Sequence, residues 1–111
     1  MVFAKKKWGQ NFLVDNNLLE KIIKTIDIKK DDEILEIGPG HGALSEKIIQ
    51  KTKTLKMVEI DPELIQFISQ NPLLSPFEIF NQDILKTNLQ ELGLNNPKVI
   101  GNIPYLSLIH I

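Results

Sequence analysis

Cysteine is absent from the 111 residues, and so is arginine: all 13 basic residues are lysines. Without thiols there is neither a disulfide nor a thiolate metal site, and His41 and His110, the only imidazoles, make a poor donor set for zinc. Without guanidinium groups, any phosphate contact falls to lysine, a mobile point charge and not a bidentate fork, so affinity for RNA should depend strongly on salt. No apolar run reaches about 18 residues, the length of a membrane span. Met1 to Lys7 lacks the apolar middle of a signal peptide, which leaves the cytoplasm as the expected compartment. Trp8 and Tyr105 are the only residues of their kinds.

What is present suits a chain of one-domain size, with 42% hydrophobic and 24% charged residues. The net charge of −1 conceals an asymmetry: residues 1–30 carry seven lysines against Asp15, Glu20 and Asp27, and the remainder is net acidic. Lys5-Lys6-Lys7-Trp8 reads either as a solvated tail with a docking aromatic or as a basic contact for a polyanion. In Gly9-Gln10-Asn11-Phe12-Leu13, the amides either cap local backbone or face a polar ligand.

Glu33-Ile34-Leu35-Glu36-Ile37-Gly38-Pro39-Gly40-His41-Gly42 runs from a short apolar strand through three glycines into a helical pattern that begins at Ala43. Such a junction lets the backbone turn tightly and approach a ligand closely, which is the mark of a nucleotide-type cofactor site. Spacing leaves the cofactor open. Gly38-x-Gly40-x-x-Ala43, with Glu59 about 20 residues downstream, satisfies the loose dinucleotide fingerprint of a NAD-dependent oxidoreductase. Glu36-x-Gly38-x-Gly40-x-Gly42 equally matches the adenosylmethionine motif of class I methyltransferases.

The rest of the chain alternates strand and helix. A helix capped by Asp15 or Asn16 should run to about Ile26, with Leu18, Leu19, Ile22, Ile23 and Ile26 as its apolar stripe. The helix after the glycines should reach about Lys51, followed by a strand over 54–60 that ends near Glu59. Asp61-Pro62 is a cap with proline at the first helical position. A third strand is expected over 77–80, a weak helical stretch over 85–92 and a fourth strand over 97–102. The βαβαβαβ order predicts an α/β fold: a parallel sheet with helices on both faces, strand order 3-2-1-4, and ligand-binding residues at the strand C-terminal ends. There, Glu59 could clasp a ribose diol, Asp83 could accept an adenine amine or merely cap a helix, and Ile84 could pack on the ring face.

Asn102-Ile103-Pro104-Tyr105 selects between the chemistries, although it also occurs as a simple turn. Methylating an amine attached to an aromatic ring requires the nitrogen lone pair to be turned in line with a sulfonium methyl. Asn102 Oδ1 and the Pro104 carbonyl can accept the two amine protons, and Tyr105 offers a stacking face. A dehydrogenase has no use for that set.

Taken in order, Gly9–Leu13, Glu36–Gly42, Glu59-Ile60-Asp61, Gln82-Asp83-Ile84 and Gly101–Tyr105 resemble the ribosomal RNA adenine dimethyltransferase family. Pro39 inside the glycine turn makes the chain more similar to the housekeeping small-subunit enzymes than to the macrolide-resistance methylases. The resemblance implies a Rossmann-like class I methyltransferase, here its N-terminal portion, that transfers two methyls to each of two adjacent adenosines near the 3′ end of small-subunit rRNA. It implies adenosylmethionine contacts from Asn11, Leu13, Gly38, Gly40, Glu59, Asp83, Ile84 and Asn102, and an adenine grip from Asn102, Pro104 and Tyr105. It makes Lys5, Lys6 and Lys7 RNA contacts, with small-subunit rRNA or its precursor particle as partner, no membrane partner, and a monomeric chain.

Family members run much longer than this chain. The expected organisation is a basic segment and helix over 1–30, a partial adenosylmethionine-binding domain over 31–105, and a foreign or truncated tail over 106–111. The fourth strand would then be an edge, with marginal stability and weak catalysis. A non-catalytic RNA-binding relative is a third reading beside methyltransferase and oxidoreductase, because its binding residues would look the same.

Overall fold

Short segments rich in Ile, Leu and Val, each bounded by polar turns, become the strands. In the structure, a computed structural model that describes residues 16–101, these are β1 (Glu33–Ile37), β2 (Thr54–Glu59), β3 (Glu78–Asn81) and β4 (Lys98–Gly101). All pair in parallel, in the order β3-β2-β1-β4, as the alternating pattern predicts. Among the described residues, three α-helices connect or precede them: α1 (Asn16–Ile26), α2 (Ala43–Ile48) and α3 (Pro62–Ser69). Asp15, the alternative cap of α1, lies outside the described residues.

Alternation along each strand sorts the side chains into two cores. Ile34, Leu55, Met57 and Ile100 face α1, α2 and α3, where they pack with Leu19, Ile22, Ile23, Leu44, Ile48 and Ile68. Leu35, Ile37 and Val58 point to the opposite face and pack with Leu92 and Leu94. Burial of such side chains is worth roughly 1.5–3 kcal/mol each, which is what holds these short helices against the sheet.

The expected helical cover is therefore unequal. On the second face the stretch expected as a weak helix over 85–92 forms two 3-10 turns, Ile84–Lys86 and Leu89–Leu92. Asp83 caps the first and Asn88 the second, each side chain accepting from the backbone N–H two residues on. Side-chain caps every few residues favour short turns over a continuous helix. α2 likewise ends at Ile48 rather than near Lys51.

Polar ties close the N-terminal ends of the strands. Asp27 adopts the left-handed conformation (φ +55°) after α1, an arrangement usually left to glycine or asparagine. Lys98 Nζ, at the start of β4, reaches Asp32 Oδ2 at 2.8 Å and the Asp27 carbonyl at 3.1 Å. Thr52 Oγ1 donates toward the carbonyls of Asp32 (2.7 Å) and Lys30 (3.1 Å), and the Glu33 carboxylate accepts the N–H groups of Asn95 and Asn96. The opposite ends of the strands run into the glycine turn and the segments after β2 and β3.

Candidate functional site

The glycine turn leaves β1 with its first amide already committed: Gly38 N–H donates to the Val58 carbonyl at 2.9 Å, extending the sheet pairing by one residue. Gly40 sits at φ +61°, and a β-carbon there would meet nothing within 4 Å, so the backbone borders open space. Gly42 differs. At φ +88° it immediately precedes α2, and a β-carbon would lie 2.5 Å from Leu74 Cδ1, a side chain with no exposure. Gly40 keeps a face open, whereas Gly42 lets the turn close onto the segment after α3.

Beside this turn is a shallow open depression, lined by Ile37, Gly38, Val58, Ile60, Gln82, Asp83 and Ile84. Its walls are branched apolar side chains from the ends of β1 and β2, and its polar edge is the segment just after β3. Gln82 and Asp83 are held there by local bonds: Thr87 Oγ1 donates to Gln82 Oε1 at 3.1 Å and to the Asp83 carbonyl at 2.8 Å. Of the two readings of Asp83, the structure shows the cap. Its Oδ1 accepts the Leu85 N–H at 2.9 Å, and its side chain also borders the depression.

Glu59 ends β2 beside this region, but it is turned inward, 2% exposed, with Oε2 accepting the Asp61 N–H at 3.0 Å. Asp61 in turn caps α3 through the Glu63 N–H at 2.9 Å, with Pro62 at the first position, as its sequence predicts. Asn81, which sequence reasoning passed over, donates to the carbonyls of Glu59 and Ile60, both at 3.1 Å. It thereby fixes the backbone that carries Glu59. The only advance signal was an amide at a strand end, a weak one.

Glu36 is the other residue whose role was not separately read. It is 3% exposed, and its Oε1 accepts a hydrogen bond from Ser45 Oγ at 2.5 Å. Burial pushes its carboxyl up to about 7; the Ser45 bond opposes that rise and the neighbouring Glu59 charge adds to it. The bond spans the glycine turn, tying the end of β1 to α2. His41, on the outside of the same turn, meets Phe67 edge to face with ring centroids 4.7 Å apart. Among the described residues, no group of three or more His, Cys, Asp or Glu could hold a metal ion, and no helix is long and apolar enough to cross a membrane.

Gly38, Gly40, Glu59, Asp83 and Ile84 therefore gather at one end of the sheet. Lys5, Lys6, Lys7, Asn11, Leu13, Asn102, Pro104 and Tyr105 lie outside the described residues, as does the tail 106–111.

Comparison with known proteins decides among the families that such a turn allows. The profile of the family described as ribosomal RNA adenine dimethylase matches residues 1–108. The chain belongs to the ribosomal RNA adenine dimethylase family. Relatives in this family include a ribosomal RNA small subunit methyltransferase A of Malacoplasma penetrans, 42% identical over 104 residues that make up 93% of this chain and 38% of the relative. Another, of Chlorobaculum parvum, is 45% identical over 106 residues, covering 94% of this chain and 38% of the relative. The chain thus spans about two fifths of the length of the curated relatives it matches.

Solved structures agree on the fold. A dimethyladenosine transferase from Plasmodium falciparum superposes with a TM-score of 0.66 at 30% identity, covering 81% of this chain and 32% of that one. The 23S rRNA methyltransferase ErmE superposes at 0.67 and 28% identity, covering 85% and 38%. The parallel sheet described above is the Rossmann-like architecture of these methyltransferases.

Proposed function

We propose that this chain is the cofactor-binding portion of an adenosylmethionine-dependent RNA methyltransferase. Its substrate would be small-subunit ribosomal RNA or its precursor particle, and its reaction the dimethylation of the exocyclic amines of two adjacent adenosines near the 3′ end. The observation that carries the reading is the joining of an open glycine turn to an apolar, acid-edged depression at the strand C-terminal ends, in a member of this family.

The residues present suit adenosylmethionine. Ile37, Val58, Ile60 and Ile84 offer apolar surface for a purine ring, and Asp83 at the rim can accept from an exocyclic amine. In this reading the Glu59 carboxylate, turned inward in the structure, swings out at the β2 end to take ribose hydroxyls, and Gly40 exposes backbone to the amino-acid part. Asn11 and Leu13 complete the binding set in this reading. When bound, the cofactor supplies an electrophilic methyl on a sulfonium.

The protein's own task is to orient the acceptor. Asn102 Oδ1 and the Pro104 carbonyl would accept the two adenine amine protons, so that the nitrogen lone pair turns out of conjugation, and Tyr105 would stack on the base. Lys5, Lys6 and Lys7 would neutralise RNA phosphates in a salt-dependent way. The expected compartment is the cytoplasm and the expected state a monomer.

Calorimetric titration with adenosylmethionine, with NAD as control, tests the reading. Saturable binding of adenosylmethionine alone is expected. Asp83→Ala weakens it by removing an acceptor and a turn cap together, so Asp83→Asn, which can still cap Leu85 through Oδ1, isolates the acceptor. A tenfold loss, about 1.4 kcal/mol, is the expected scale for either variant. Binding of NAD instead overturns the assignment.

A further inference from the structure

The sheet face covered by α1, α2 and α3 is apolar at its centre, and two buried carboxyl groups enter it near the strand C-terminal ends. Glu36 on β1 and Glu59 on β2 are 3% and 2% exposed, and both lie on that same face near the strand C-terminal ends. The surroundings of Glu36 are specific. Across the sheet it is paired with Met57 of β2 and Ile100 of β4, α1 brings Leu19, Ile22 and Ile23 to this face, and α3 brings Ile68. α2 supplies the Ser45 hydroxyl and β2 the Glu59 charge, and these are the polar and charged groups acting on Glu36 among the described residues.

Among the described residues, the ion pairs are Lys29 with Asp27, Lys47 with Glu20, Lys56 with Glu78 and Lys98 with Asp32. None of them involves Glu36 or Glu59. With no cation paired to it among the described residues, the buried Glu36 carboxyl ionises only at a cost, because it loses hydration and the Glu59 charge repels it. A cation arriving nearby removes that obstacle.

We propose that Glu36, held by Ser45 across the base of the glycine turn, is a positioning residue that exchanges its proton for ligand charge, releasing it to solvent when a cationic group of the ligand docks at the turn. The inference rests on the methyltransferase reading above and adds proton linkage to it. The Ser45 hydroxyl donates to Glu36 Oε1, so that bond is strongest once Glu36 is ionised, and charge binding tightens the β1–α2 junction that shapes the turn. Ligand binding and turn rigidity are thereby linked through one proton.

Free Glu36 titrates near neutrality. Below that point a binding site that must lose a proton gains affinity as pH rises, by up to about tenfold per pH unit, and above it the affinity levels off. The cationic group could be a sulfonium or an ammonium, and three probes separate them. Adenosylmethionine carries both, adenosylhomocysteine carries the ammonium alone, and methylthioadenosine carries neither.

The experiment is calorimetric titration of the 111-residue chain at about pH 6.5, in two buffers of unlike ionisation enthalpy, which counts protons released per ligand bound. The expected result is between about half and one proton released with adenosylmethionine. Release with adenosylhomocysteine as well identifies the ammonium, and release with adenosylmethionine only identifies the sulfonium. Glu36→Gln keeps an acceptor for Ser45 and should bind with no Glu36 proton released and a flatter pH profile. Ser45→Ala removes a bond that favours the ionised form and should move the inflection to higher pH.

Adenosylmethionine binding without proton release overturns the inference and leaves the methyltransferase reading standing. Equal release with methylthioadenosine, or undiminished release by Glu36→Gln, also overturns it. No binding of adenosylmethionine at any pH overturns that reading, and the inference with it.

Discussion

At the N-terminal end of β1, Asp32 and Glu33 meet a cation or backbone amides; at its C-terminal end, Glu36 is buried among apolar side chains beside Glu59. Asp32 takes Lys98 Nζ at 2.8 Å and the Lys29 N–H at 2.7 Å, and Glu33 takes two backbone N–H groups from the segment before β4. Glu36, only three residues after Glu33, has a serine hydroxyl and a neighbouring carboxylate instead. Accordingly, Lys98 and the Lys29 amide hold Asp32 below the usual carboxylate range, whereas burial holds Glu36 above it. One end of the sheet is built to stay joined. The other keeps an unspent electrostatic demand that a ligand can meet, at a cost in stability.

The contrast can be broken most severely at the turn itself. Gly42→Val places a branched side chain at φ +88°, with its β-carbon 2.5 Å from buried Leu74 Cδ1. Strain and overpacking together should cost about 3 kcal/mol or more in urea unfolding. Gly42→Ala should cost less, and part of its penalty should vanish beside Leu74→Ala, because that double variant removes the clash but not the backbone strain.

The two ends should also answer pH in opposite senses. Glu36 has its folded value raised from 4.5 to about 7, so its contribution is fully present below about 4.5 and is lost as pH rises through 7, on the order of 3 kcal/mol in all. For Asp32, lowered from 3.8, the contribution is present above that value and is lost as pH falls through its folded one. Urea melts between about pH 4 and pH 8 should therefore show a fall in stability that Glu36→Gln flattens. An unchanged slope in that variant would mean that another group carries it.

The smallest expected effect is Lys98→Met. Its ammonium is half-exposed and its partner Asp32 partly exposed, so the melting temperature should shift only slightly, and about 1 M salt should erase most of the difference. A large, salt-independent loss would instead mean that the Lys98 bond to the Asp27 carbonyl governs the closure of β4 onto the end of α1.

Much of this architecture was legible from local pattern. The four strands, their 3-2-1-4 order and the Asp61-Pro62 start of α3 follow from apolar runs, turn chemistry and capping, all of which act within a few residues. The collection of Gly38, Gly40, Glu59, Asp83 and Ile84 at one end follows too, because parallel strands put all their C-termini together. The inward turn of Glu59 did not follow, nor did the role of Asn81 in bracketing its backbone. The Glu36–Ser45 bond joins residues nine positions apart across a turn, and Leu74 meets Gly42 from the far side of α3. Neither contact has a spacing rule.

The sequence by itself determined where strands and helices alternate, which end of the sheet receives the glycine turn, and which family the motifs resemble. Those are consequences of periodicity, backbone freedom and capping, and each is set by neighbours in the chain. Only the tertiary structure decided that, among the described residues, one face of the sheet would carry three α-helices and the other two 3-10 turns, that Asp83 would cap a turn while bordering the depression, and that Glu36 would be enclosed beside Glu59. Burial is a collective property: a carboxyl group's solvation depends on what every packed element brings to it, and no local stretch of residues specifies that.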